Sequence, residues 1–568
     1  MMLTPFLLAS ALALGDVAGK PDAALASMRT LASANSAHCA LRTIGHSFGG
    51  KPIEMLVVSE NIAAADSRPA ILLVAGTDCD RPSSVGILVD VARRLIADPT
   101  LMRGCTFYVL PCANPDALLD TSPRAASSLS RNGRPVDDDR DRRVDEDPPR
   151  DVDGDGRILT MRRIAPPASD PPTHLPDPAD PRLMRAPDAA KGLRATHTLY
   201  TEGLDTDLDG KVAEDATGGV DYDRNFPHRW REFDPMAGAY PLSEPETRAL
   251  AQFVVDHPRI VGAIVASRWD NLIAIPDAKP KDITGKTPMA LHPDDQPMLE
   301  ELAKVWKDAS GQNRGQEADP AGSLALWLYV HQGIPTCATQ LYGRPDPTPL
   351  PPPPPPPAPV EGAVPPPPPA TPPPAPKAAD EEAAQWLLVS DRDRGGSGFV
   401  PWRAFDHPTL GKVEIGGFAP GFRTDPPASE HERIAGAVTT LASSLAQRAP
   451  KVELTNITSR TLSPGVVEIE CEVVNNGWLP TATAMGRANR VPLPVIVRLS
   501  VPKQVIEHGQ RVTIVDGLEG NGGRRAFRWI VRAQPGERIA VEAQWVPQGM
   551  IRALVVDGVV QTTQEVLP

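Results

Sequence analysis

Residues 344–377 constrain this chain most, because they hold two unbroken proline runs, 351–357 and 365–369. Proline has no backbone N–H and a fixed φ, so such a stretch builds neither helix nor ladder and extends as polyproline II. No continuous core can run through it. A PxxP ligand for an aromatic-lined partner is the sharper reading of the segment; an inert linker or loop insertion is the plainer and preferred one.

The pattern differs on its two sides. Before it, apolar runs at 70–75, 106–110, 260–266 and 335–342 alternate with helical patterns at 84–96, 244–255 and 299–310. That alternation predicts an α/β sheet covered by helices on both faces, with functional residues beyond the carboxyl ends of its strands. After residue 450 only short alternating runs remain, at 452–456, 466–474, 494–501, 511–515, 525–532, 538–545 and 551–556. These predict a C-terminal antiparallel β-sandwich, read as an accessory module.

A length of 568 residues allows two or three domains with ample cores. The balance of 71 Asp+Glu against 58 Lys+Arg, a net charge of −13, comes with no basic stripe and argues against a nucleic-acid partner. No internal run reaches the roughly 18 apolar residues of a membrane span, so no transmembrane anchor is expected. Residues 1–19 join an apolar stretch to small residues and fit a secretory leader, although no Lys or Arg precedes it. A secreted or periplasmic location follows as an expectation. The six cysteines show no CxxC spacing and fix neither a zinc finger nor a disulfide pattern. Nothing in the sequence sets an oligomeric state.

Five segments carry a more specific signal. They are 43–53 (with Ile44, Gly45, Ser47, Gly50 and Ile53), Pro111-Cys112-Ala113-Asn114-Pro115-Asp116, Gly219-Val220-Asp221-Tyr222-Asp223-Arg224-Asn225-Phe226-Pro227, Ser243-Glu244-Pro245-Glu246-Thr247, and 333–342. In this order they closely resemble the zinc carboxypeptidase family, whose motifs read IGxSxEGRxI, PxxNPDG, GVDLNRNFP, SEPET and a closing strand ending TxEL. The resemblance covers roughly residues 40–345. It implies a carboxypeptidase-like mixed sheet, a zinc ion on an HxxE loop plus a later His, and a Glu that takes a proton from the zinc-bound water.

The sequence departs from that pattern at each of these places. The resemblance puts Asp78 at the first His position, Arg81 at the Glu position, Ser267 at the second His and Gln340 at the general base. An arginine opposes a bound cation, a serine hydroxyl is a poor zinc ligand, and an amide has no proton to exchange near neutral pH. Zinc, the cofactor the family implies, is therefore not expected. In the position of the substrate-carboxylate pocket Arg224 is retained, but Asp223 replaces the family's Asn and would partly neutralise it. Two replacement sites are conceivable: hard oxygen ligands from Asp78, Asp80 and Asp270, or thiolates from Cys79, Cys112 and Cys337. Pairing of the acids with Arg81 or Arg268, and burial of the thiols, is preferred. Glu414 is a conceivable substitute base that no spacing places near the site. His46 and His331 read as surface or structural residues.

The long acidic stretch between Asp116 and Asp221 holds two DxDxDG patterns, Asp151/Asp153/Asp155 and Asp205/Asp207/Asp209, a spacing that can wrap oxygens around calcium. Neither has Glu at the twelfth loop position. A third acidic run, with Asp137, Asp139, Asp141 and Asp145, lacks the glycine. A solvated acidic surface is the competing reading. The sequence thus divides into a leader (1–19), a carboxypeptidase-like domain (20–343), the Pro-rich insertion or linker (344–380), a return segment (381–449) and the β-sandwich (450–568). The leading functional expectation is an inactive carboxypeptidase homologue that binds a peptide terminus or cell-wall fragment. The alternatives are an active metallocarboxypeptidase that releases C-terminal residues through a rearranged metal site, and a calcium-stabilised structural or adhesion module.

Overall fold

The runs Ala70–Val74, Thr106–Leu110, Ile260–Ala266 and Thr336–Thr339 are buried along their whole length. Continuous apolar strands of this kind must be covered on both faces, which suits a parallel arrangement. The computed structural model describes residues 19–119, 131–137, 142–144, 147–167, 170–206, 210–213, 218–349 and 380–567. In it these strands lie side by side in the order Thr106–Leu110, Ala70–Val74, Ile260–Ala266, Thr336–Thr339, all parallel. The antiparallel hairpin Cys39–His46 and Pro52–Val58 extends the sheet beyond Thr106–Leu110, giving six strands of mixed direction. Helices Ser83–Ala97, Gln296–Ser310 and Ala428–Arg448 pack together and onto the sheet, while Pro245–Asp256 packs against Cys39–His46 and Leu324–Gln332 against Ile260–Ala266 and Thr336–Thr339. Gly262 lets Leu445 of the long helix approach Ile71: a Cβ there would stand 3.2 Å from Ile71 Cδ1.

The acidic stretch is not all loop. Its strands Thr160–Ile164 and His197–Thr201 pair with each other in a separate antiparallel sheet around Met161, Val413 and Ile415, in which Thr160–Ile164 also pairs with Gly411–Phe418 of the distant hairpin Phe399–His407 and Gly411–Phe418. These last partners lie more than 200 residues apart, so no local pattern announces the pairing. The return segment thus serves two sheets: its hairpin joins this smaller one, and its helix Ala428–Arg448 covers the main one.

The Pro-rich residues 350–379 lie outside the described residues, as do 1–18. The residues flanking the former are held together: Arg344 Nε donates to Glu382 Oε1 at 2.8 Å, Thr348 N to Asp393 Oδ2 at 3.2 Å, and Arg392 Nη1 to Thr348 O at 3.0 Å. Both ends of the stretch therefore leave from one place on the protein.

The C-terminal part is built from two antiparallel sheets, of four and five strands, with inward Val473, Val497, Trp529, Val541 and Trp545 buried. It contains more strands than the short runs predict, and a six-residue helix, Ala484–Asn489. That helix docks into the first domain. The buried Asp295 carboxylate accepts from Ala484 N at 2.8 Å, Met485 N at 3.0 Å and the Tyr329 hydroxyl at 2.6 Å, while Thr483 Oγ1 donates to Gly333 O at 3.1 Å. Among the described residues no helix is long and apolar enough to cross a membrane.

Candidate functional site

Parallel strands end on a common edge, and the segments singled out by sequence meet there. Gly76, at φ +65°, turns the chain after Ala70–Val74; a Cβ would lie 2.6 Å from Pro111 O, so the following residues reach the edge only because this position is glycine. The turn is fixed by Ala113 N to Ala75 O at 3.0 Å and Asn114 N to Gly76 O at 2.8 Å.

The motif residues beside this edge form one hydrogen-bonded frame. Asp116 accepts from Ser47 Oγ and Gly49 N, both at 2.8 Å, and Glu246 accepts from Phe48 N at 2.8 Å. Asn132, which no sequence pattern marks, donates to Glu244 at 2.6 Å and to Glu246 at 3.2 Å. Asn225 receives the Thr247 hydroxyl at 2.6 Å and donates to Ser243 Oγ at 3.0 Å. The four retained motifs are therefore joined to one another by buried polar contacts, whose loss would be costly in a low-dielectric interior.

The residues at the departing positions are engaged in a different way. Asp78, almost fully buried, faces two arginines: Arg268 Nε lies 3.2 Å from Oδ1 and Arg81 Nη1 lies 3.5 Å from Oδ2. Arg268 also pairs through Nη2 with the buried Asp221. Burial opposes a charge on Arg268, but the charges of Asp221 and Asp78 reverse this and hold it protonated beyond the ordinary arginine range. Asp221 is pushed up by burial despite Arg268. Ser267 Oγ turns back to its own chain, 3.3 Å from both Trp269 O and Trp269 N. Gln340 spans two backbone segments: its amide nitrogen donates to Arg268 O at 2.6 Å and Gln316 O at 2.5 Å, and its oxygen accepts from Gln316 N at 2.7 Å. That pattern requires both a donor and an acceptor, which an amide has and a carboxylate lacks.

One expectation changes. Asp223 does not neutralise Arg224. Arg224 pairs with Asp234 at 2.9 Å and Asp221 at 3.3 Å, whereas Asp223 Oδ1 accepts Leu324 N at 2.8 Å at the start of helix Leu324–Gln332. Burial and the nearby charge of Asp78 raise the Asp223 carboxyl to about 7. The side chains that could replace a metal site are also not brought together. Among the described residues, the one group of three or more His, Cys, Asp or Glu able to converge on an ion is Asp151, Asp153 and Asp155, so neither the Asp78/Asp80/Asp270 nor the Cys79/Cys112/Cys337 set qualifies. Asp270 caps Leu272 N at 2.8 Å and Ile273 N at 2.6 Å. Cys112 and Cys337 are buried, which raises each thiol to about 12. Glu414 pairs with Arg162 at 2.8 Å in the smaller sheet, and His331 Nε2 lies 3.2 Å from His228 Nδ1.

In the Asp151 loop the carboxylate oxygens lie within 4.8 Å of one another. Asp151 accepts from Gly154 N and Gly156 N, both at 2.7 Å, and Arg403 lies 2.7 Å from Asp155 and 3.4 Å from Asp153. Of the second loop, Asp207 and Asp209 lie outside the described residues, as do Asp139, Asp141 and Asp145 of the acidic run. We expect calcium to raise the thermal midpoint, since an ion bound only by the folded loop stabilises it and relieves the repulsion that Arg403 now partly offsets. Melting curves that coincide in calcium and in chelator would leave a solvated acidic surface.

The zinc carboxypeptidase family model matches residues 24–141 and 191–347. The chain carries a zinc carboxypeptidase-like domain. Residues 451–555 match a domain family of unknown function, DUF8731. Among solved structures, carboxypeptidase A from Helicoverpa armigera aligns at 13% identity over 56% of this chain and 63% of its own, with a TM-score of 0.32. Thrombin activatable fibrinolysis inhibitor aligns at 14% identity over 56% and 67%, with a TM-score of 0.33, and a metallo-carboxypeptidase from Burkholderia cenocepacia at 12% over 56% and 58%, with a TM-score of 0.28. A search of curated proteins finds no match.

Proposed function

We propose that this zinc carboxypeptidase-like protein does not hydrolyse peptides, and that the Arg268 guanidinium takes the part of the metal cation. The observation that carries the reading is the position of Arg268 between the buried Asp78 and Asp221. Zinc does not suit this set. Asp78 already faces two guanidinium groups, the Ser267 hydroxyl is spent on its own backbone, and the Gln340 amide is bonded on both sides. A metal would have to displace a fixed internal cation and would gain one carboxylate. The site then binds without cleaving, and the ligand class we infer for it is a peptide terminus or a cell-wall fragment, met in a secreted or periplasmic setting. The partly exposed Arg224 is the group that supports a carboxylate ligand. A calcium-stabilised module is the second reading, favoured by the Asp151, Asp153 and Asp155 oxygens.

The test is peptide digestion followed by mass spectrometry with zinc supplied. Wild type, the single variants Asp78→His, Arg81→Glu, Ser267→His and Gln340→Glu, and the quadruple variant are compared. Wild type and all single variants are expected to release nothing, because groups that act as a unit are non-additive. Gln340→Glu should in addition lower stability by about 1–3 kcal/mol, since a carboxylate would face the Arg268 and Gln316 carbonyls. Chelator-sensitive trimming by the wild type would overturn the proposal.

A further inference from the structure

A cavity of about 430 Å³ opens between the loop 76–82 and the segment 419–427, which the return part of the chain lays against it. Its size lies within the roughly 300–1,000 Å³ of small-molecule sites. Phe422, Tyr342 and Pro420 give it an apolar wall. Phe422 is braced by Trp386, with ring centroids 5.5 Å apart, and Trp386 lies 6.0 Å from the Tyr342 ring. The wall is therefore backed by packed aromatic rings.

Charge of both signs lines the same space. Arg394 has no carboxylate within ion-pair distance among the described residues; its contact with another side chain is Nη2 to the Tyr342 hydroxyl at 3.5 Å. Asp80 and Asp425 are the acids. Asp80 is about one-third exposed and pairs with Arg81 at 3.2 Å, while Asp425 caps the helix Ser83–Ala97 through Ser83 N at 3.0 Å and Ser83 Oγ at 2.6 Å. A guanidinium without a counter-ion, acids in the same cavity and an aromatic wall together complement a molecule that carries an anion, a cation and an apolar body. We propose that this cavity binds a small zwitterion, an α-amino acid with an apolar side chain, its carboxylate on Arg394, its ammonium toward Asp80 and Asp425, and its side chain against Phe422. Burial raises Asp425 to about 7. A ligand ammonium would draw its proton off, so binding should tighten from pH 6 to pH 8. Asp80, Arg81 and Ser83 are the groups that face Asp425 in this balance. The proposal does not depend on whether the chain hydrolyses peptides, since none of these residues stands at a position the family uses for zinc or base.

The experiment is calorimetric titration of the full chain with L-phenylalanine, N-acetyl-L-phenylalanine and L-phenylalaninamide, with the acetyl compound checked by mass spectrometry for cleavage. The zwitterion should bind with a dissociation constant of about 1 mM or tighter, and each blocked compound about tenfold or more weaker. Arg394→Gln should weaken L-phenylalanine by a similar factor with an unchanged thermal midpoint, because Arg394 supports no ion pair among the described residues. Absence of heat with L-phenylalanine overturns the proposal. So does equal binding of all three compounds, and equal or tighter binding of the acetyl compound would point instead to a peptide C-terminus.

Discussion

Replacing Arg268 with methionine should lower stability by about 3–5 kcal/mol, the cost of leaving buried charges without their partner. Arg268 is the shared cation of Asp78 and Asp221, whose side chains are at most 1% exposed. Arg81 would remain 3.5 Å from Asp78, and Arg224 3.3 Å from Asp221, so neither acid would be wholly abandoned. These contacts are longer, and each arginine already serves another acid, Asp80 and Asp234 respectively. The measurement is urea unfolding followed by tryptophan fluorescence, read as a shift in the midpoint of the transition of this domain. Adding Asp78→Asn and Asp221→Asn to Arg268→Met should recover more than half of the loss, because neutral amides need no counter-ion. A loss below about 1 kcal/mol for the single variant would mean that the arginine is incidental to the site.

Asp223→Asn should stabilise the protein at pH 8 and leave it unchanged at pH 4. The folded carboxyl titrates near 7, against about 3.9 in an unfolded chain, so between these values the folded state holds a proton that the unfolded state has released. Stability contributed by this group is therefore greatest at low pH and falls as pH rises through that window. By pH 8 the loss is on the order of 4 kcal/mol, taking about 1.4 kcal/mol for each pH unit separating the two titrations. Asparagine keeps an oxygen to accept Leu324 N and has nothing to ionise. Asp425, raised to about 7, titrates in the same window and is common to both proteins, so it cancels in the comparison. Denaturant midpoints at pH 4, 6 and 8 provide the check. An equal increment at every pH would assign the effect to packing instead.

The main sheet was legible because its strands are short apolar runs separated by amphipathic helices, and each obeys a local period. The frame of motifs was legible for a related reason: Ser47 bonds to Asp116, Thr247 to Asn225 and Glu246 to the Phe48 N–H, so each motif needs polar residue types that suit another. The smaller sheet was not, since Thr160–Ile164 finds its partner Gly411–Phe418 far along the chain. Within the site, positions carried more information than contacts. The sequence pointed to Asp78, Arg81, Ser267 and Gln340, yet Arg268, one residue beyond Ser267, entered only as one possible partner for the acids. Burial of Asp78 and Asp221 on either side of it made the partly exposed Arg268 the centre of the charge network, and their burial depends on the whole fold. The same limit applied to Asp223, whose neighbour in sequence is Arg224 but whose partner in space is the start of a helix some 100 residues later. Asp425 gave no signal because its role, capping Ser83, joins segments 342 positions apart.

Elemental analysis of the purified full chain after mild dialysis tests the central claim most directly. If Arg268 supplies the cation between Asp78 and Asp221, zinc should be far below one equivalent, and adding zinc should not shift the thermal midpoint. About one zinc per chain, retained through dialysis and lost together with stability on chelation, would contradict the account.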